Sequence, residues 1–192
     1  YYTPQIWCSD NTDALDRLKI QYGTSFFYPA SMVGAHVSAV PNHQTGRITP
    51  FHTRGVIAMA GTFGYELDPK QLSEEEKQEL KEQIKIYRRY ADLIQNGLYY
   101  RLNDPTVEEV GAWEFVSEDR SEALFNAVVL HVHGNMTVNY VRLKGLKEGC
   151  MYKEESSGNV YAADALMEAG IPLPVKMGDY QAYQMYFKKV EE

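Results

Sequence analysis

Residues 3–97 alternate short apolar runs with helix-period runs three times, and after Gly97 the alternation stops. That switch constrains the fold more than any other feature of the chain. The first run, 3–9, reads as a short strand ending in a turn. "TDALDRLKIQYGTSFF" (12–27) reads as a helix with Leu15, Leu18, Ile20 and Tyr22 on its apolar face and Gly23 as its stop. "GAHVSAV" (34–40) is nearly all apolar, the signature of a strand buried on both faces. The polar loop "PNHQTGR" follows, then a helix entered through Thr49-Pro50 (49–61) and a strand "TFGYEL" (62–67). The long run "LSEEEKQELKEQIKIYRRYADLIQNG" opens with a capping box, Ser73 and Glu76. It keeps Leu80, Ile84, Tyr87, Ala91 and Ile94 at helical spacing and closes at Gly97. Strand and helix in alternation predict a parallel α/β layer. Three such units fall short of a complete eight-fold barrel, which takes about 250 residues.

Beyond Gly97 the segments are short, β-branched or aromatic, and broken by Gly, Asn, Asp and Pro: "GLYYRL", "AWEFVS", "ALFNAVVLHV", "VNYVRLKGL", "CMYKEE", "NVYAADALME" and "DYQAYQMYFKKV". In "YQAYQMYF" the residues alternate in and out. This grammar predicts an antiparallel β domain over 98–192, read as a sandwich, joined at Gly97 to the α/β region 1–97.

The net charge of −7 and the lack of a basic run exclude a nucleic-acid partner. No segment approaches the ~20 apolar residues of a membrane helix, so no membrane partner is expected. Two cysteines, Cys8 and Cys150, far apart in sequence, make neither a disulfide framework nor a CxxC metal site, which favours a reduced, cytoplasmic setting. The start at Tyr1, without Met and just before a dense polar motif, reads as the edge of a fragment.

That motif is "WCSDNTDALDRL" (7–18). A helix start needs one capping oxygen, and Ser9, Asp10, Asn11, Thr12 and Asp13 offer five. One reading is an N-cap with a dipole-matched acid. The other follows from position. In parallel α/β folds the loops leading from strand ends into helices carry the chemistry, and a carboxylate there serves as general acid/base. If Thr12 and Asp13 serve the cap, Asp10 is free. Elsewhere, His36 and His43 lack the helical spacing of a metalloprotease and have no nearby carboxylate in sequence. Arg47 and Arg54 are candidates to hold a carboxylate. His131 and His133 would share one face of a strand as a metal pair without a third ligand. Asn135 opens an NMT glycosylation sequon. No phosphate loop and no cofactor motif is present, and no metal is expected.

"WCSDNTDALDRLKIQYGTSFFYP" and "GAHVSAVPNHQTGRITPFHTRGVIAMAGTFGYELD" closely resemble the C-terminal part of the α-galactosidases of glycoside hydrolase family 36, the melibiase/raffinase enzymes. The likeness is nearly gapless over residues 4–69 and looser to the end. It implies the last three βα units of a (β/α)8 barrel, strands six to eight, followed by a C-terminal antiparallel β domain. It implies retaining hydrolysis of terminal α-1,6-galactosides such as melibiose and raffinose. It places the general acid/base at Asp10, with Asp13 the runner-up and better suited to the helix start, and Trp7, Cys8 and Asp13 along the substrate. The family's nucleophile lies in a K-x-D-x-N word that these residues do not contain. The chain would then need the remainder of the polypeptide as its partner, in a parent that is often a homotetramer. The alternative is an inactive fragment serving as a structural or sugar-binding module.

Overall fold

A computed structural model of the chain describes residues 4–135 and 138–191. The chain folds into two compact units, Tyr1–Gln95 and Asn96–Glu192.

The first unit is a parallel layer backed by helices. Strand β1 (Gly34–Ser38) pairs in parallel with β2 (Thr62–Glu66), with Gly34 opposite Thr62 and Ser38 opposite Glu66. Among the described residues, the segment expected as a strand over 3–9 contributes one parallel bridge, Ile6 to Val33. The Ile6 N–H donates to the Met32 carbonyl at 2.7 Å, and the Gly34 N–H donates to the Ile6 carbonyl at 2.8 Å. Each row leads into a helix: α1 (Ala14–Thr24), α2 (Phe51–Ala58) and α3 (Glu74–Asn96). The capping box of α3 is formed, with Ser73 Oγ accepting the Glu76 N–H and the Glu76 carboxylate accepting the Ser73 N–H. Side chains alternate across a strand. Val37 therefore packs with Phe51, Ala58, Phe63, Tyr65 and Leu80 on the helix side, and His36 points to the opposite face.

The second unit is antiparallel. Strands β3 (Leu98–Asn103), β4 (Val110–Val116), β5 (Glu122–Val129), β7 (Met151–Glu154), β8 (Val160–Ala162) and β10 (Gln181–Lys189) form one six-stranded sheet in the order β3-β4-β5-β10-β7-β8. The expectation of a sandwich becomes, among the described residues, one large sheet and a ribbon in which β6 (Tyr140–Val141) pairs with β9 (Ile171–Pro172). "NVYAADALME", read as β, turns after Ala162 into a short helix, α4 (Ala163–Glu168). Its Ala163 and Leu166 join Val141, Leu143, Leu146, Ile171 and Leu173 in covering Phe125, Tyr152 and Phe187 of the sheet. Helix and ribbon thus close a core that a full second sheet would otherwise have covered.

Candidate active site

The five polar residues after Cys8 have separate duties. Cys8 itself has left-handed backbone, φ 44°, and the Ser9 N–H turns back onto the Trp7 carbonyl. A non-glycine residue held there stores about 1–3 kcal/mol of strain. The chain therefore reverses sharply after Trp7. Ser9 Oγ accepts the Asn11 N–H at 3.1 Å. Asn11 Oδ1 accepts the Asp13 N–H at 2.9 Å, and its amide donates to the Asp16 carboxylate at 2.8 Å. Thr12 Oγ1 accepts from the Asn42 amide at 3.0 Å, with His43 Nδ1 3.5 Å away.

Asp13 is 1% exposed. Its Oδ1 accepts the N–H groups of Leu15 and Asp16 at 3.0 and 3.1 Å, the N-cap geometry. Its Oδ2 accepts the Thr45 hydroxyl at 2.8 Å, and the Arg47 guanidinium closes an ion pair on the same carboxylate. Asp10 is different. It is exposed, and among the described residues its carboxylate has neither a hydrogen bond nor an ion pair.

Trp7 stands beside this loop, 48% exposed. Its indole stacks on His36 with ring centroids 4.5 Å apart and planes 10° from parallel. His36 Nε2 lies 2.9 Å from the Glu66 carboxylate at the end of β2 without forming a hydrogen bond. Burial, and then the charge of Arg17, lower the His36 pKa, with Glu66 pulling the other way. One face of Trp7 thus packs on His36 while the residue stays 48% exposed. Cys8 is half-buried with a free thiol.

The loop "PNHQTGR" is the second wall. Asn42, 4% exposed, accepts the N–H groups of Gln44 and Thr45 on Oδ1 at 2.9 and 3.0 Å. Its own N–H donates to the Arg47 carbonyl. This turn aims Thr45 and Arg47 at Asp13. Of the two arginines singled out in the sequence, Arg47 holds a carboxylate across the loops. Arg54 is buried and structural: it donates to the Thr49 and Ser38 carbonyls at 3.0 and 2.7 Å and reaches Glu76 at 3.3 Å.

Arg17 was missed. It sits among Leu15, Leu18 and Gln21 on the buried face of α1, and it is 1% exposed. A charge on the apolar stripe was the signal that could have found it.

The remaining histidines are dispersed. Strand β5 ends at Val129, so His131 and His133 are not on a strand face. His131 lies 3.6 Å from Asp179 and His133 lies 3.5 Å from Glu109, each with its own carboxylate. Among the described residues no three His, Cys, Asp or Glu converge as metal ligands. Asn135 has left-handed backbone; Met136 and Thr137 of its sequon lie outside the described residues.

Comparison with known proteins gives this geometry its context. Residues 1–97 match the Melibiase family model, and residues 110–187 match the glycosyl hydrolase family 36 C-terminal domain. The chain is 60% identical over its whole length to the bifunctional alpha-galactosidase/sucrose kinase AgaSK of Mediterraneibacter gnavus and 50% identical to the alpha-galactosidase AgaA of Geobacillus stearothermophilus. It spans only 20% and 26% of those two proteins. The solved galactosidase domain of AgaSK superposes on 99% of this chain, which is 26% of that domain's length, with a TM-score of 0.97. A variant of AgaA in complex with raffinose, 49% identical, superposes on 99% of this chain, 26% of its own length, with a TM-score of 0.96. The chain therefore belongs to the melibiase α-galactosidases of glycoside hydrolase family 36 and includes that family's C-terminal domain.

Proposed function

We propose that this chain is the acid/base-bearing portion of a retaining α-galactosidase acting on terminal α-1,6-galactosides such as melibiose and raffinose, with Asp10 as the general acid/base. One observation carries the reading. Of the five polar side chains from Ser9 to Asp13, four are committed to the loop and helix, and Asp10 alone among them is exposed and without a partner. It stands where a row of the parallel layer ends, three residues after the half-exposed Trp7, the position at which such layers place their chemistry.

Retention uses two carboxyl groups about 5–5.5 Å apart. Asp10 protonates the departing glycosidic oxygen. It then takes a proton from the water that attacks the galactosyl-enzyme. The nucleophile comes from the remainder of the polypeptide, and this chain alone is inactive. The same remainder covers the parallel layer, whose β2 pairs only with β1 among the described strands. A parallel sheet is stable when both faces are covered. Half-exposed Trp7 offers apolar surface to the sugar, and Cys8 lines the same turn. Asp13 acts from beneath, fixing the helix start.

The test uses the full-length polypeptide with Asp10→Asn. Turnover of raffinose falls by roughly 10²–10⁴-fold. The galactosylation step with 4-nitrophenyl α-galactoside, whose leaving group needs no proton, is largely spared. Small and equal effects on both substrates would overturn the assignment.

A further inference from the structure

Arg17 has no place in the chemistry so far, yet it is among the most costly side chains in the first unit. Its guanidinium is 1% exposed, and among the described residues no carboxylate lies within ion-pair distance. Burying a charge is expensive unless hydrogen bonds replace the water. Here two carbonyls do so: Nη1 donates to Ser9 O at 3.0 Å and Nη2 to Gly34 O at 2.6 Å. Nε has no partner. Burial lowers the Arg17 pKa, opposed by Cys8 and Glu66.

The two carbonyls are informative. Gly34 begins β1 and is fixed by the Ile6 carbonyl through its own N–H. Ser9 directly precedes Asp10 and directly follows the left-handed Cys8. Arg17 therefore fastens the strained turn to the first residue of a strand. A planar guanidinium can donate in two fixed directions at once, which an ammonium on a flexible stem does not reproduce. Strain of this kind persists only where the surroundings over-determine it.

We infer that Arg17 is a positioning residue for the acid/base: by clamping the Ser9 carbonyl to the Gly34 carbonyl it holds the Cys8 turn and sets where the Asp10 carboxyl stands. The inference rests on the reading of Asp10 given above. Misplacing a catalytic group by about 1 Å costs up to about 10²-fold. The cost falls on steps that need the proton.

The test compares wild type, Arg17→Lys, Asp10→Asn and the double variant in the full-length polypeptide. Each is assayed with raffinose and with 4-nitrophenyl α-galactoside. The ratio of the two kcat/KM values is read on one sample, so it is independent of how much protein is folded. Arg17→Lys lowers the raffinose-to-aryl ratio by about tenfold to a hundredfold. In the Asp10→Asn background it lowers it no further, because a residue acting through another is non-additive with it. An unchanged ratio in Arg17→Lys, or a further drop in the double variant, overturns the role of Arg17 while Asp10→Asn still moves the ratio. If Asp10→Asn leaves the ratio unmoved, the acid/base reading itself fails and the clamp falls with it.

Discussion

Arg47 closes an ion pair on Asp13 across thirty-four positions of sequence, and Asp13 is the buried partner. That carboxylate caps α1 and also ties two loops together. Asp13→Ala removes the cap, the Thr45 contact and the counter-charge of Arg47 in one step. The expected loss is on the order of 3 kcal/mol, seen as a lowered thermal midpoint. In the full-length polypeptide, activity per folded molecule should largely survive. A variant that melts like wild type but has lost turnover would exchange the roles of Asp13 and Asp10.

The Trp7–His36 stack makes a pH reporter. Burial and Arg17 hold the His36 pKa below its ordinary 6.5, so the ring is neutral at pH 7. The fluorescence of Trp7 should be quenched on acidification with a midpoint below 6.5, as the imidazolium forms against the indole. Trp113, 3% exposed in the second unit, supplies a constant background. In His36→Gln the titration should vanish. The same depressed pKa means that the unfolded chain takes up its proton first. The contribution of His36 to stability is whole above pH 6.5 and declines as pH falls below it.

Glu114 has the opposite sign. It is fully buried in β4, and burial pushes its pKa up to about 8 against the pull of the Lys144 N–H that it accepts on Oε1. Its Oε2 has no partner. The native state keeps this proton where the unfolded chain, with an ordinary value of 4.5, has lost it. Stability should fall as pH rises from about 4.5 to about 8, by up to about 1.4 kcal/mol per pH unit, and then level off. Glu114→Gln, neutral throughout, should flatten that decline in melts recorded at pH 5, 6.5 and 8. An unaltered slope would place the ionisation elsewhere.

Two glycines should respond in opposite directions. A Cβ on Gly61 would stand 2.5 Å from the Val33 carbonyl oxygen, which accepts the Thr62 N–H at the start of β2. Backbone cannot swing aside as a side chain can, so Gly61→Ala should cost about 1–3 kcal/mol. A Cβ on Gly23, inside α1, meets nothing within 4 Å. Gly23→Ala should gain about 0.5–1 kcal/mol through helix propensity. Paired thermal melts decide both.

Local rules made much of this protein legible in its sequence. The capping box at Ser73 and Glu76, the Thr-Pro entry to the second helix, the apolar run around Val37 and the strand read at "YQAYQMYF" each depend on neighbours a few residues away, and each formed, although burial along that last strand does not alternate. The SDNTD word gave the place of the candidate site for the same reason, since a strand end running into a helix is a local pattern. Within that word the sequence already favours Asp13 for the helix start, and the fold supplies the partners that hold it there. Asp13 is a structural carboxylate because Thr45 and Arg47 arrive from a loop more than thirty residues on, while Asp10 has no such partner among the described residues. Tertiary contact likewise turned 163–168 into a helix that covers the sheet with a two-residue ribbon. Arg17 lies in the same class: its sequence neighbours mark it as a charge on an apolar face, but only the fold brings the Ser9 and Gly34 carbonyls to it. Burial and partnership are properties of residues distant in the chain, and those were decided by the fold.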